Sequence, residues 1–364
     1  MEQISRLEEF LKKIKSNEDK DNSQTFTRIP HKQLNIWGGS WNVPNEHIDL
    51  FWRLYDREIN HFKTVQYLTQ LQNKKEGGPI LIDLDFKFDY EIDERKLKKE
   101  FIIDLIGQYE EELVKIIKVN EETVIPVFVF MKDHVNQSQE QNCTKDGIHI
   151  IIGVNLHHAG QKILRNNMIK WIKENNFFNS LGEDCVIKND VEDILDLSIT
   201  TGNTGWQLYG SRKPGHEDYK LKYKFEYTYI RDEDEEDEYY ESEQTECEIA
   251  KEDQRAENYS THKIWCKVEI KDDFKELLPN CFSAVAVKIS LDAGFVILFG
   301  AALSFLGLGV QPPTPDLGTM VATGSEYMPE MWWQAVMPGL AILYAILGFN
   351  LLGDGLRDML DVEL

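Results

Sequence analysis

Asp83 and Asp85 stand two residues apart in PILIDLDFKF, residues 79–88. Apolar and acidic residues alternate there over the length of a strand, so Ile82, Leu84 and Phe86 share one face and the two carboxylates share the other. Two hard oxygen donors pointing the same way, joined by a third carboxylate from elsewhere, suit Mg²⁺ or Mn²⁺ bridging a nucleotide's phosphates and activating a hydroxyl. A D-x-D pair on a strand that merely faces water would do none of this. The reading therefore depends on what else the chain brings to that face. His149, in GIHIIIGV (147–154), lies on the face opposite Ile148, Ile150 and Ile152. Taken alone it reads as a satisfied structural histidine. Arg212 and Lys213 sit in YGSRKPG, a loop bounded by Gly and Pro. Two cations and free backbone N–H groups there could hold phosphate or a template strand, or the segment is a plain surface turn. Trp206 and Tyr209 could stack on a base or belong to the core.

The elements that must position these residues follow from periodicity. Apolar and aromatic residues at helical spacing across 46–72 (Phe51, Trp52, Tyr55, Ile59, Phe62) predict a helix, which KKEGGP at 74–79 stops. Residues 95–119 carry one apolar stripe and predict an amphipathic helix on the flank of a sheet. VIPVFVFM (124–131) and GIHIIIGV (147–154) predict β-branched strands, and 160–175 a further helix. Strands alternating with helices imply a mixed α/β (α+β) domain with a mixed sheet. DEDEEDE at 232–238, with acidic neighbours through Glu248, predicts a solvated, disordered insert over about 231–250.

The composition changes sharply along the chain. Residues 1–280 carry 55 acidic and 38 basic side chains, and residues 281–364 only 8 and 2. Cys143, Cys185, Cys247, Cys266 and Cys281 form no C-x-x-C pair, which argues against a zinc ribbon or a disulfide framework. The charged N-terminus has no apolar core of a secretion signal, so the first part is expected in the cytoplasm.

IDLDF (82–86), KDGIHIII (145–152) and GWQLYGSRKPG (205–215) occur in the order seen in archaeo-eukaryotic-type primases. The region from 30 to about 280, with the lead-in WGGSWNVPNEHIDLFWRLYDREI at 37–59, resembles the N-terminal domains of primase-helicases of poxviruses and other large DNA viruses. The resemblance implies a DNA primase, a nucleotidyltransferase acting with nucleoside triphosphates on a single-stranded DNA template. By that resemblance Asp83 and Asp85 are metal ligands for Mg²⁺ or Mn²⁺, and Asp196 in ILDLSI is the third carboxylate, with Asp193 as the alternative. His149 matches a histidine that contacts nucleotide phosphates, and Ser211, Arg212 and Lys213 belong to the phosphate-binding loop. The acidity of the domain opposes nucleic-acid binding. Lys87, Lys145, Lys188, Arg212, Lys213, Lys220, Lys222 and Lys224 lie near the motifs and are candidates for a local basic patch. No G-x-x-x-x-G-K-[ST] phosphate loop occurs, so the helicase half of such proteins is not expected in this chain.

Ala293–Val310 and Met331–Gly353 run for 18 and 23 residues without a charge and predict two transmembrane helices, with the membrane reached through residues 284–353. Trp332 and Trp333 suit an interface, and Gly300, Ser304, Gly307 and Gly309 close helix contact. LSFLGLGVQPPTPDLG (303–318) and PGLAILYAILGFNLLGDGLRDMLD (338–361) resemble the end of a dipeptide or oligopeptide ABC transporter permease. In that resemblance Leu278–Asn280 closes the loop that docks on the ATPase. Nearly all of that loop is missing, so neither an ATPase partner nor transport is expected. The expected organisation is a primase-like domain at 1–277 and a permease fragment at 278–364, a chimera with its seam at Leu277–Asn280.

Overall fold

Alternating burial along residues 78–89 sets the frame: Ile80, Ile82, Leu84, Phe86 and Phe88 are buried, while Asp83, Asp85 and Lys87 between them are not. The computed structural model describes residues 5–14, 23–34, 36–90, 92–182, 185–231, 240–266, 268–271, 292–309 and 314–360. In chain order the elements are helix α1 (Arg6–Lys13), strands β1 (Ser23–Arg28) and β2 (Gly39–Pro44), helix α2 (Ile48–Asp56), strands β3 (Thr69–Gln70) and β4 (Gly78–Asp89), and helix α3 (Lys99–Val114). There follow β5 (Ile117–Lys118), β6 (Val124–Met131), β7 (Asn136–Ser138), β8 (Cys143–Leu156), α4 (His158–Glu174), α5 (Val191–Ile194), β9 (Trp206–Gln207), β10 (Lys220–Arg231), β11 (Tyr240–Glu246) and β12 (Glu269–Ile270). Helices α6 (Asp292–Phe305), α7 (Leu317–Ser325) and α8 (Trp333–Leu360) are the last among the described residues. It divides into two compact units, Met1–Glu269 and Ile270–Leu364.

In the first unit a six-stranded sheet runs β11-β10-β6-β8-β4, with β7 on β8, and a smaller sheet runs β2-β1-β3-β9. The region is a mixed α/β fold rich in sheet. Every ladder described in these two sheets is antiparallel, and Gln66 with Ser211 and Val154 with Cys266 are single parallel bridges. The mixed sheet expected from alternating strands and helices is thus replaced by antiparallel ladders, because hairpins and long returns join the strands.

The large sheet has two unlike faces. Leu84 lies opposite Ile148 and Ile82 opposite Ile150, and Val129 of β6 continues the same row. That face buries its side chains together with Phe101, Leu105 and Tyr109 of α3 and Leu164 and Met168 of α4. Each fully buried aliphatic chain contributes about 1.5–3 kcal/mol. On the other face Leu81, Phe128, Phe130 and Ile151 cluster with Ile199, Trp206 and Tyr259. The small sheet has a core of its own, where Phe26, Val43, Phe51 and Tyr55 pack with Leu7 and Leu11 of α1.

Several expected elements change. The helix predicted over 46–72 ends in a wider turn at Arg57–His61, Lys63 takes a positive φ of 55°, and Thr69–Gln70 is drawn into the small sheet. Tertiary pairing overrides the helical stripe there. Of the acidic insert, 232–239 lies outside the described residues, but 240–246, expected to be disordered, is strand β11, paired with β10 from Phe225↔Glu246 to Arg231↔Tyr240. The proposed seam at 277–280 also lies outside them. Among the described residues only α8 is long and apolar enough to cross a membrane, with Trp333–Leu352 at a mean hydropathy of 2.0. The 18-residue apolar run yields the shorter α6, because Gly307 at φ 76° turns the chain and Leu308 N–H donates back to the Leu303 carbonyl at 2.9 Å.

One buried acid ties α3 to β10. The Tyr229 hydroxyl donates to Glu110 Oε2 at 2.6 Å, and Oε1 is buried with no hydrogen-bond partner. Burial pushes the Glu110 carboxyl up from 4.5 to about 7, against the lowering effect of the Tyr229 hydrogen bond. Since the folded value is the higher, the unfolded chain ionises first as pH rises from about 4.5 to about 7, and stability falls across that window by roughly 3 kcal/mol. Glu110→Gln should remove this slope, so its stability relative to the unsubstituted protein rises between pH 5 and pH 8 in urea unfolding. Parallel pH profiles for the two proteins would refute this account.

Candidate functional site

The register between β4 and β8 places Asp83 directly across from His149 and Asp85 across from Gly147. His149 Nε2 stands 3.4 Å from Asp83 Oδ1. Burial, the largest single influence, works to raise the Asp83 carboxyl. The charge and hydrogen bond of His149, with Lys213 and Lys132, outweigh it and hold the carboxyl below its ordinary value. Asp85 is an exposed residue, yet the protein packed around its carboxyl raises it, the Asp83 charge adds to the effect, and Lys145, Lys213 and Lys87 oppose it. Two neighbouring carboxylates are thus driven apart in acidity, as expected where like charges share a site.

Asp196 is brought beside them by its backbone. Leu195 bridges Leu84, and Asp196 N–H donates to the Asp83 carbonyl at 3.1 Å. Buried Arg165 holds this segment, donating from Nε to the Leu195 carbonyl at 2.7 Å and from Nη2 to that of Glu192 at 2.8 Å. The Asp196 carboxylate is engaged elsewhere: it accepts from Ser198 N–H at 2.8 Å and from the Ser198 hydroxyl at 2.7 Å, just ahead of the 3-10 turn Ser198–Thr201. Asp193 is exposed on α5, beside Lys173 and Asn189. Among the described residues no group of three or more His, Cys, Asp or Glu is gathered at metal-binding distance.

The loop 205–215 is fastened from below. The Ser211 hydroxyl is buried, pairs with the Tyr55 hydroxyl at 2.7 Å and accepts from Leu68 N–H at 3.0 Å, so its hydroxyl anchors the loop. Arg212 N–H donates to the Gln66 carbonyl at 2.9 Å, and Lys213 is exposed, its charge felt at both aspartates. Trp206 and Tyr209 are wall rather than open stacking platforms. Trp206 is buried with its ring 4.4 Å from the His149 ring, and Tyr209 packs against Tyr259 at 5.3 Å.

The basic patch is smaller than expected. Asp133 takes both Lys220 and Lys222, Asp253 takes Lys224 at 3.2 Å, and Asp89 takes Lys188 at 2.8 Å. Lys87, Lys145 and Lys213 remain near enough for their charges to act on Asp85. Sequence reasoning missed Lys132, one residue beyond β6, and Tyr219, whose ring stacks on His149 at 3.6 Å and 17°. Period-2 alternation of β6 continued past Met131 would have flagged Lys132. Nothing in HEDYKLK marks Tyr219.

A family model described as the C962R protein N-terminal AEP domain matches residues 30–225. The chain is also 52% identical over 88 residues to the Di/tripeptide transport system permease protein DppC of Pseudomonas aeruginosa, covering 24% of this chain and 29% of that protein. It is 50% identical over 91 residues to the Dipeptide transport system permease protein DppC of Escherichia coli, covering 25% and 30%. To the Probable D,D-dipeptide transport system permease protein DdpC of Escherichia coli it is 48% identical over 85 residues, covering 23% and 28%. The chain thus spans about three-tenths of the length of these permeases.

Gly147 is where the site is tightest. A Cβ there would come within 2.5 Å of the Tyr219 hydroxyl oxygen but 3.6 Å from the ring carbon that bears it. Gly147→Ala should therefore cost about 1–3 kcal/mol of stability in thermal or urea unfolding. Adding Tyr219→Phe should recover most of that loss, because removing the hydroxyl makes the room. A double variant no more stable than Gly147→Ala alone would contradict the contact.

Proposed function

The chain belongs to the C962R protein N-terminal AEP domain family, and from that premise we propose that residues 1–277 act as a nucleotidyltransferase of DNA primase or primase-polymerase type, working with Mg²⁺ or Mn²⁺. The observation that carries this reading is the pair Asp83 and Asp85 on one face of β4 with His149 across from Asp83. Its substrates are nucleoside triphosphates and a single-stranded DNA template.

The donor set fits a hard divalent cation. Both groups are carboxylates, and Asp85 is raised in part by the Asp83 charge, a repulsion that a bound cation relieves. Asp83 and Asp85 would hold the ion, and Asp196 would join them by turning its carboxylate away from Ser198. The ion supplies charge neutralisation of the phosphates and activation of the attacking hydroxyl. His149, Arg212 and Lys213 receive the triphosphate, and Ser211 keeps the loop of Arg212 and Lys213 in place. Strand opening is assigned to a partner outside these residues.

The full-length protein in detergent, given a single-stranded template, nucleotides and Mg²⁺ or Mn²⁺, should incorporate nucleotides. Asp83→Ala with Asp85→Ala should lower that rate about a thousandfold, the size of several kcal/mol of lost charge stabilisation. Incorporation that survives the double substitution would end the assignment.

A second reading rests on the permease identity and on α8. In it the C-terminal part, from 278 onward, is a membrane-embedded fragment of a peptide ABC transporter permease, while the first part stays in the cytoplasm. The described residues of α6 span about 21 Å at 1.5 Å per residue, against a hydrocarbon core of about 30 Å, so in this reading a second crossing needs flanking residues as well. Without the docking loop this fragment has no coupling to an ATPase. We read the join as a chimera with its seam at 277–280. Single long reads that span codons 275–285 with uniform codon usage would defeat that view.

A further inference from the structure

Lys132, Tyr219 and His149 form a column beside the acidic pair. The Tyr219 and His149 rings stack at 3.6 Å, and the Lys132 ammonium stands 4.7 Å from the centroid of the same Tyr219 ring. His149 then reaches Asp83 at 3.4 Å. Each member is held from outside the column. Arg95 Nη1 donates to the Lys132 carbonyl at 2.8 Å, while its Nε and Nη2 fork onto buried Asp146 at 2.8–3.1 Å. Trp206 lies against His149, and Gly147 leaves the gap that admits the Tyr219 hydroxyl.

Lys132 differs from its neighbours in what it is not doing. Lys220 and Lys222 share an ion pair with Asp133, whereas among the described residues Lys132 makes no ion pair. It lies close enough to Asp83 and Asp85 for their charges to act on it, yet it is paired with neither. An ammonium laid on an aromatic face keeps N–H donors free on its other side. A flexible lysine fixed in this way has surrendered its freedom before a ligand arrives, which leaves less to lose on binding.

Building on the nucleotidyl-transfer reading above, we propose that Lys132 contacts the triphosphate of the incoming nucleotide, and that Tyr219 is the positioning residue that presents Lys132 and His149 together. The flat ring sets the spacing between the two cationic or donating groups. The rigid clamp of Arg95 on the Lys132 backbone sets their height above the sheet.

Inorganic triphosphate titrated calorimetrically into the full-length protein, in detergent with EDTA, reads the column without the reaction. Lys132→Met should weaken binding about tenfold, as expected for one charge-assisted phosphate contact. Tyr219→Leu should weaken it by about the same factor, and the double variant no more than about twofold further, because the two act as one unit. Tyr219→Phe, which keeps the ring, should bring binding back to within about threefold of the unsubstituted protein. In the template assay Lys132→Met should raise KM for the nucleotide about tenfold with kcat within about threefold, while Tyr219→Leu lowers kcat as well. Unfolding curves and Lys132→Arg, which keeps the charge and should keep most of the binding, separate these effects from misfolding. Triphosphate affinity unchanged in Lys132→Met, or Tyr219→Phe as impaired as Tyr219→Leu, overturns the proposal, as does an unsubstituted protein that binds no triphosphate. Lys132-dependent triphosphate binding without any nucleotide incorporation would instead remove the nucleotidyl-transfer reading and leave the column standing.

Discussion

The register between β4 and β8 is the constraint from which the site follows. Twelve residue pairs fix it, from Gly78↔Leu156 to Asp89↔Cys143, with one irregularity at Pro79/Ile80. Because side chains alternate with period two, a slip of one residue would set Asp83 opposite an isoleucine and turn every buried residue of β4 toward the wrong layer. The helix-covered face prevents that slip: Leu84, Ile148, Ile150 and Val129 form an apolar row that water would penalise at every position. The geometry of the polar face is thus held by packing on the opposite one. The acidic pair is not expected to stabilise the fold, since the Asp85 carboxyl is raised first by burial and then by the Asp83 charge, a cost that the core has to offset.

Electrostatics within the first unit are local rather than global. The chain carries a net charge of −23, which by itself repels phosphate. Around Asp83 and Asp85, however, Lys87, Lys132, Lys145 and Lys213 concentrate, while more distant lysines are consumed by Asp89, Asp133 and Asp253. At physiological ionic strength interactions beyond about 8 Å are largely screened. A nucleotide at the polar face would therefore respond to these few cations and the two carboxylates much more than to acid elsewhere on the surface.

Much of this was legible in residue order. PILIDLDFKF gave both faces of β4, GIHIIIGV gave the side on which His149 lies, and the three motifs came together at one place, with Asp196 beside Asp83 through its backbone. What escaped was tertiary. Lys132 and Tyr219 lie 87 positions apart, and no spacing rule links them. Ser211 is polar in a Gly-rich loop, which reads as exposed, yet Tyr55 and Leu68 bury it from more than 140 positions away. Likewise Asp196 looks free in ILDLSI until Ser198 is seen to hold both of its oxygens. The strand β11 was hidden because its acidic composition reads as solvated coil, whereas an edge strand tolerates charge on both faces.

In the hydropathic C-terminal part a composition rule promised two crossings, and among the described residues one helix has the length for it. An apolar run of 18 residues satisfies a length criterion, but α6 stops at Phe305 because Gly307 adopts a conformation that other residues resist. Helix α8 has no such break across Trp333–Leu352. None of this bears on the polar face of β4. Asp83, Asp85, Lys132, His149, Asp196, Lys213 and Tyr219 all fall within Met1–Glu269, and every hydrogen bond, ion pair and ring contact cited for them has its partner in the same span. Whatever history joined the two parts, the chemistry argued for the first draws on no residue of the second.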